Sequence, residues 1–218
     1  MSTTPKNRER ATRTNGDQTR GKILDAAEVL FGARGFDSVS LRDITTQANV
    51  TLALASYHFG TKENLVEAVI ARRAALLCAD RVERLAALNA PDVRSILDAF
   101  LAPLFERAAL REVGWGSYLR VLARVGEDPQ RLDFLKAHFD ETALHFIVAL
   151  KDVLPGVDQT KVAQCFTMIL DTMLGTASQH GRVVNLTDGK TLASDFETIY
   201  PALLDFVTAG TEALIMRP

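Results

Sequence analysis

The spacing of the apolar residues constrains the fold of this chain more than any other feature. From residue 19 onward they recur at intervals of three and four, the period of one face of an α-helix. No stretch keeps the alternation of apolar and polar residues that marks a half-buried β-strand. The sequence therefore predicts an all-α protein of about nine helices, without a sheet.

Residues that cap or break helices predict where each helix ends. Gly35 suits the left-handed conformation that closes many helices, so the first amphipathic helix is expected from residue 19 to that glycine. Ser40 opens a second helix with a capping box in which Asp43 replaces the usual Glu, and Ser194 opens a full capping box before the last helix. The other helices are predicted at about 52–59, 61–88, 92–110, 114–124, 129–154 and 158–182.

The composition is that of an ordinary globular protein, with 47% hydrophobic and 24% charged residues in a chain of 218. No apolar run reaches the roughly 18 residues of a membrane-spanning helix, and the polar N-terminus lacks the apolar segment of a signal peptide. Cys78 and Cys165 lie far apart in helical patterns. We therefore expect reduced, buried thiols in a cytoplasmic protein that does not contact a membrane.

The charges are unevenly distributed along the chain. Residues 1–62 contain nine Lys and Arg against six Asp and Glu, a net charge of +3, while the whole chain carries −2. A basic first quarter favours contact with a polyanion such as nucleic acid, although so small an excess also arises by chance. Residues 1–17 are polar and aperiodic, which predicts a disordered basic arm. The arm would follow a DNA groove or remain a solvated tail, and its basic residues are Lys6, Arg8, Arg10 and Arg13.

Two short predicted helices, 41–48 and 52–59, are separated by a three-residue turn. This is the spacing of a helix-turn-helix unit, whose second helix enters the major groove of DNA. The second helix is too short to be stable alone, so it must pack on its neighbours and expose one side. On that side Thr51 and Ser56 can hydrogen-bond base edges, and Leu52 or Ala53 can contact a thymine methyl group.

Three hydrogen-bond donors follow on the same stretch, at Tyr57, His58 and Lys62. They suit phosphate oxygens, and Lys62 stands at a helix start, where free N–H groups attract anions. In the alternative interpretation Tyr57 and Phe59 pack between helices and His58 is a histidine of the core.

Three motifs occur in order between residues 19 and 65: ILDAAEVLFGARGFDSVSLRDIT, then ANV, then YHFGTKENL. In order and spacing they resemble the DNA-binding region of the tetracycline-repressor family of bacterial transcription regulators. The resemblance implies an all-helical homodimer that binds pseudo-palindromic double-stranded DNA. It also implies release of that DNA when a small-molecule effector enters the C-terminal domain, which is the behaviour of a repressor.

The resemblance further implies a division into a helix-turn-helix domain at 18–65 and a ligand-binding and dimerisation domain at 66–218. By this resemblance, Ser40 and Arg42 lie near DNA phosphates. The residues that face the bases are Thr51, Leu52, Ala53 and Ser56, and those that hold the DNA backbone are Tyr57, His58 and Lys62. Many members carry Thr-Leu-Tyr where this chain has Leu54-Ala55-Ser56, so the usual aromatic residue at position 56 is missing. The ending Tyr-His-Phe-Gly-x-Lys resembles a branch that includes fatty-acid-responsive regulators.

Residues 66–218 contain no P-loop, GxSxG or CxxC motif, so we expect neither an enzyme nor a cofactor. By the resemblance, the last two helices pair with those of a second copy in a four-helix bundle. An effector pocket would lie between the middle helices, and its candidates are Phe100, Leu104, Phe105, Trp115, Tyr118, Leu122, Phe139, His145, Phe146 and Met168. Each of these is also a candidate for ordinary core. Arg120 and Arg124, one turn apart, could hold a carboxylate or phosphate group, or form a solvated face.

His138, Glu141 and His145 fall on one side of one predicted helix. Nitrogen and oxygen ligands in this arrangement would suit zinc, so the alternative function is a metal-binding helical-bundle enzyme or a metal sensor. No fourth ligand can be named, and the favoured interpretation contains no metal.

Overall fold

The structure, a computed structural model, describes residues 5–213, with side chains from residue 15 onward. Over this range it is all helical, which confirms the predicted fold class, and it contains ten α-helices and one 3₁₀ turn at Pro129–Arg131. The helices are α1 Pro5–Arg34, α2 Leu41–Ala48, α3 Leu52–Phe59, α4 Lys62–Ala86, α5 Val93–Ala109, α6 Trp115–Gly126, α7 Leu132–Val153, α8 Gln159–Ala177, α9 Arg182–Leu186 and α10 Phe196–Glu212.

The chain divides into two compact units, and the division falls inside α4, between Arg72 and Arg73. We call the part through Arg72 the first unit and the part from Arg73 the second unit. The sequence placed a boundary at residue 65. The first unit extends further because the opening turns of α4 carry fully buried side chains, at Leu65, Val66 and Val69.

In the first unit α1, α2 and α3 pack against one another in pairs. Ile23, Ala27 and Ile44 are fully buried in its core. The Phe31 and Phe36 rings lie 5.4 Å apart between centroids and close the end of α1. The amphipathic stripe that the sequence shows after residue 19 is therefore the part of α1 that forms this core.

Helix α1 begins much earlier than predicted. Its backbone is helical from Pro5, so it includes most of the segment predicted as a disordered arm. Proline suits the first position of a helix, where its missing N–H has no partner to lose, and no second proline follows before Gly35. The side chains of the basic residues Lys6, Arg8, Arg10 and Arg13 lie outside the described residues.

The ammonium group of Lys62 fastens the first turn of α4 to the loop between α1 and α2. Its Nζ donates to the carbonyl oxygen of Phe36 at 3.0 Å and to that of Val39 at 3.3 Å. Nearby, the Asn64 side chain donates to the Phe59 carbonyl at 3.0 Å, where α3 ends. These bonds connect the start of α4 to the loop before α2 and to the end of α3.

In the second unit α5 is the central helix and packs against α6, α7 and α10. The Phe100 ring of α5 lies 5.0 Å from Phe146 of α7 and 4.9 Å from Phe166 of α8, between centroids. At the other side of α5 the Tyr200 hydroxyl donates to Asp98 at 2.5 Å, and burial together with this bond raises the pKa of Tyr200. Aromatic rings pack on this side as well, with Phe105 5.5 Å from Phe196 and 5.6 Å from Tyr200 between centroids.

Three helix ends differ from the predictions. Helix α8 stops at Ala177 rather than near residue 182, because Gln179 adopts a left-handed conformation with φ 54°, and the short α9 follows. The segment opened by Asp128 begins as the 3₁₀ turn before α7. Helix α10 is capped by Asp195, whose side chain accepts from the Thr198 N–H, and not by Ser194.

The two cysteines are free and half-buried, where full burial was expected. The Cys78 Sγ lies 3.4 Å from the His138 carbonyl oxygen, and the Cys165 Sγ lies 3.6 Å from the Thr211 hydroxyl. Within residues 5–213 the helices are all too short or too polar to cross a bilayer.

Lys62→Met should lower the free energy of unfolding by about 2 kcal/mol, since it removes two hydrogen bonds from a charged donor and leaves two carbonyls without it. Lys22→Met is the matched control, because this exposed lysine of α1 makes no described hydrogen bond. Urea unfolding followed by circular dichroism measures both. Equal losses in the two variants would contradict the fastening role of Lys62.

Asp92 caps α5: its carboxylate accepts from the Ser95 N–H at 2.7 Å and from the Ser95 hydroxyl at 2.6 Å. These bonds lower the pKa of Asp92, so its stabilising effect is present above the unfolded pKa of about 3.9 and is lost as the pH falls through the folded value. Asp92→Ala should cost about 1 kcal/mol at pH 7, and the difference from the parent should shrink below pH 4 in acid unfolding. Asp152→Ala, at an exposed position of α7, is the control and should leave the free energy of unfolding unchanged at either pH.

Candidate functional site

Helix α2 is held in place by its two ends. The Ser40 hydroxyl accepts from the Asp43 N–H at 3.2 Å, and the Ser40 N–H donates back to the Asp43 carboxylate at 2.8 Å. The bond from the Ser40 hydroxyl lowers the pKa of Asp43. At the other end Asn49 has φ 53°, a left-handed conformation that asparagine tolerates, and its N–H bonds the Thr45 and Thr46 carbonyls. The turn into α3 is therefore defined by local chemistry.

Helix α3 begins at a cap, buries one face and exposes the other. The Thr51 hydroxyl accepts from the Leu54 N–H at 3.4 Å, and Gly60 with φ 71° ends the helix. Ala55 and Phe59 are buried. The exposed residues of this stretch are Thr51, Leu52, Ala53, Leu54, Ser56 and Tyr57. This face includes every residue for which the sequence predicted base contact.

The phosphate-binding residues predicted from the sequence differ in their surroundings. Tyr57 is 83% exposed, and its ring forms a T-shaped pair with that of the half-buried His58, 5.2 Å between centroids. Arg42 is exposed on the first turn of α2, whereas the Ser40 hydroxyl is used in the capping box. Lys62 is half-buried and donates to two loop carbonyls, so its ammonium group positions the helix pair and is not held out as a free donor.

The packing alternative holds for one aromatic residue of α3 and not for the other. Phe59 is buried, with the Arg20 guanidinium 5.3 Å from its ring centroid. Tyr57, by contrast, is largely exposed to solvent. The helix-turn-helix unit thus presents a small, mixed apolar and polar face with an aromatic hydroxyl at its end.

The second unit contains a cavity of about 360 Å³ between α4, α5, α6, α7 and α8. Most of its lining is apolar, and the exposed charges at its edge come from Asp133, Lys136 and Asp140 of α7. The remaining lining residues are Leu77, Arg81, Phe100, Leu122, Leu132, Leu135, Phe139, Ala143, Leu170, Met173 and Leu174. Pockets of this size and lining hold small apolar ligands.

Of the residues proposed for such a pocket, Phe100, Leu122 and Phe139 line it. The others lie elsewhere. Leu104 and Tyr118 are fully buried core residues outside the lining, as are Phe105 and Phe146. These placements show that the apolar pattern alone could not separate lining from core.

Three further candidates are displaced from the cavity for identifiable reasons. Two guanidinium groups lie close to the Trp115 ring, those of Arg73 at 4.9 Å and Arg107 at 5.1 Å from its centroid. His145 is exposed on α7, and Met168 is 67% exposed on α8. None of the three lines the cavity.

Arg81, which is only 2% exposed, also lines the cavity and was not predicted from the sequence. Burial lowers the pKa of Arg81 to about 10, so the guanidinium remains charged at neutral pH. Its position could have been found, because Ala74, Leu77 and Arg81 are spaced by three and four along the buried stripe of α4. Arg120, which was considered for an anionic group, instead donates to Gln179 at 3.1 Å outside the cavity lining.

An open groove runs between α8 and α10. Its lining includes Cys165, Met168, Ile169, Phe206 and Val207 and is mainly apolar. Met168 and Phe206 both line this groove and are 67% and 69% exposed, an uncommon degree for large apolar side chains. The groove lies on the two helices for which pairing with a second copy was predicted.

The proposed metal ligands do not form a site. His138 is half-buried, while Glu141 and His145 are exposed. Over the residues that the structure describes, no group of three or more His, Cys, Asp or Glu side chains could hold a metal ion.

Two family descriptions match separate parts of the chain. Residues 23–69 match the family described as bacterial regulatory proteins, tetR family, and residues 98–210 match the tetracyclin repressor-like C-terminal domain. An HTH-type transcriptional repressor of Mycobacterium tuberculosis is 40% identical over 70 residues, which cover 32% of this chain. That stretch is 37% of the relative's own length, so the match spans about a third of it.

Solved structures show the same fold at low sequence identity. The ketosteroid transcriptional regulator KstR2 of Mycobacterium tuberculosis is 18% identical, with a TM-score of 0.61 over 88% of this chain and 93% of that one. The fatty acid degradation regulator FadR of Bacillus halodurans is 16% identical, with a TM-score of 0.59 over 88% and 95%. These relatives are transcriptional regulators and not enzymes. Because the C-terminal domain match alone covers more than half of the 218 residues, the chain belongs to the tetracycline-repressor family of bacterial regulatory proteins.

Proposed function

We propose that this protein is a transcriptional repressor that binds operator DNA through α2 and α3 and is released by a small molecule in the cavity. The observation that carries this proposal is the exposed face of α3, which follows a capped turn in helix-turn-helix geometry. The chain's membership of a family of regulators supports the proposal, as does the mycobacterial relative that is named a repressor. A protein that acts on operator DNA works in the cytoplasm of a bacterium.

Helix α3 would read bases in the major groove. Thr51 and Ser56 offer hydroxyl groups to base edges, and the exposed Leu52 and Ala53 offer apolar contacts to thymine methyl groups. Ser56 stands where many members have an aromatic residue, so the contact surface is flatter at this point. The short side chains allow the helix backbone to lie close to the groove floor.

The neighbouring phosphates would be bound by Arg42 and the Tyr57 hydroxyl, both of which are exposed. His58 is half-buried, and it would add a donor beside Tyr57. Ser40 and Lys62 contribute mainly by position, because their polar atoms already hold the start of α2 and the preceding loop. These contacts position the protein, and the base contacts give the sequence preference.

A pseudo-palindromic operator requires two copies of α3, about 34–36 Å apart, in successive major grooves. We infer that α8 and α10 pair with those of a second copy and that the groove with Met168 and Phe206 lies in this interface. Apolar side chains exposed to this degree are typical of surfaces covered in the assembled protein. The predicted homodimer would thus bury them.

Release follows from the continuity of α4. An effector in the cavity contacts α4 at Leu77 and Arg81, and the first residue of the same helix, Lys62, is bonded to the loop ahead of α2. A shift of α4 would change the spacing of the two α3 helices. Such an effector needs higher affinity for the shifted state than for the DNA-bound one. An apolar lining favours an apolar effector, in keeping with the relatives named for ketosteroids and fatty acid degradation.

Arg42→Gln should weaken binding to every duplex and reduce the salt slope of log K by about one unit, because it removes one phosphate contact. Fluorescence anisotropy with a duplex selected from a random pool, at several salt concentrations, measures this. Arg182→Gln, an exposed arginine of α9 in the second unit, is the control and should leave the slope unchanged. A slope that does not respond to Arg42→Gln removes that residue from the phosphate contacts, and a parent protein that selects no duplex overturns the proposed function.

The double variant Met168→Asp and Phe206→Asp should weaken dimerisation by about 30-fold or more, because it places charges in an apolar interface. Sedimentation velocity over a range of concentrations gives the dimer constant. Leu144→Asp is the matched control, an exposed leucine of α7 outside both the groove and the cavity. A parent protein that stays monomeric, or a double variant that dimerises like the parent, argues against this interface.

A further inference from the structure

The groups in direct contact with the guanidinium of Arg81 are neutral. Its Nε donates to the carbonyl oxygen of Phe100 at 2.8 Å, and one Nη lies 3.7 Å from the Met173 sulfur. Its central carbon lies 3.8 Å from the centroid of the Phe100 ring. A carbonyl, a thioether and an aromatic face each attract a cation, yet none of them neutralises it.

The nearest carboxylate along the chain, that of Asp80, attracts Arg81 electrostatically but is hydrogen-bonded to two other arginines. Asp80 accepts from Arg84 at 2.9 Å through one oxygen and from Arg107 at 3.0 Å through the other. Among the residues that the structure describes, Arg81 forms no ion pair. The cavity's own carboxylates, Asp133 and Asp140, stand at exposed positions on α7, so they are hydrated.

Packing alone does not require this charge. A buried cation without a counter-ion is costly, and an apolar side chain of similar volume often stabilises a core as well or better. Met or Leu at position 81 would continue the apolar stripe that Ala74 and Leu77 begin. The unpaired guanidinium is instead placed where a ligand could pair with it, on the wall of a cavity that is otherwise apolar apart from its edge.

We propose that the cavity binds an apolar molecule that carries one anionic group, a carboxylate or a phosphate ester, and that Arg81 pairs with this group. The inference rests on the effector cavity of the proposed function and defines the chemical class of its ligand. The apolar body of the ligand lies against Leu122, Phe139 and Leu174. A cavity of about 360 Å³ is at the small end of the range for ligand sites, which favours a short chain or a small ring system.

The ligand class is tested first on the parent protein, with four probes that share one tail: octanoate, octyl phosphate, octanol and octylammonium. Isothermal titration calorimetry should show octanoate or octyl phosphate binding about 10- to 100-fold more tightly than octanol, because a charged hydrogen-bonded pair forms only with the anions. The tighter anion identifies the head group. Octanol binding as tightly as both anions, or octylammonium binding more tightly, overturns the proposal.

Two lining cations provide a matched pair of variants, since Arg81 is buried and Lys136 is exposed at the edge of the same cavity. Arg81→Met should weaken binding of the preferred anion about 10- to 100-fold and leave octanol affinity within about threefold, whereas Lys136→Met should weaken the anion by about threefold or less. Arg81→Lys should recover part of the loss, which distinguishes charge pairing from packing even if Arg81→Met folds poorly by circular dichroism. A loss in Lys136→Met at least as large as that in Arg81→Met, or no recovery of anion affinity in a folded Arg81→Lys, overturns the role of Arg81.

The same samples separate this inference from the proposed function. Anion preference in a protein that binds no duplex in the anisotropy assay supports the pairing with Arg81 and overturns the regulator. Operator binding in a protein without preference among the four probes supports the regulator and overturns the pairing.

Discussion

The arrangement of the helix-turn-helix unit depends on the ammonium group of Lys62. The carbonyl oxygens of Phe36 and Val39, in the loop between α1 and α2, form no hydrogen bond within a helix. The Lys62 ammonium group donates a hydrogen bond to each of them. Because the donor sits on the first turn of α4, the loop, the start of α2 and the start of α4 are held as one. Helix α3, with eight residues, is too short to persist alone and depends on this frame and on its Thr51 cap.

Helix α4 gives the molecule a single element that belongs to both units. Its early turns bury Leu65, Val66 and Val69 in the first unit, and its later turns supply Leu77 and Arg81 to the cavity. In the proposed mechanism this shared helix connects ligand binding in the cavity to DNA affinity.

The sequence predicted features that depend on neighbouring residues better than features that depend on contacts across the fold. The all-α class and α2 with α3 followed from apolar spacing and from local residues such as Ser40 and Gly60. The early end of α8 could not be predicted, because Gln179 adopts a left-handed conformation that its residue type rarely takes. The start of α1 was missed because its first turns carry no apolar stripe.

The same distinction holds for the candidate sites. The exposed face of α3 was predictable, since a short helix with small residues has few ways to pack. The role of Lys62 was not predictable, because its hydrogen-bond partners are the backbone carbonyls of residues 36 and 39, which are distant from it in the sequence. The cavity residues were only partly predicted: an apolar side chain such as Leu122 or Leu104 has the same pattern whether it lines a void or fills a core.

The buried cation also bears on how selective the cavity can be. An apolar wall discriminates weakly between ligands, because one more or one fewer methylene group changes affinity by only about 1–3 kcal/mol. A buried polar group discriminates more strongly, since a ligand that lacks the matching group leaves it without a partner in a medium of low polarity. With Arg81 as the charged group of the wall, a neutral apolar compound would enter without relieving the unpaired charge, and a cationic one would add to it. The common hydrophobic compounds of a cell would then compete poorly with the anionic effector, and the stability lost by burying Arg81 would be the physical origin of that selectivity.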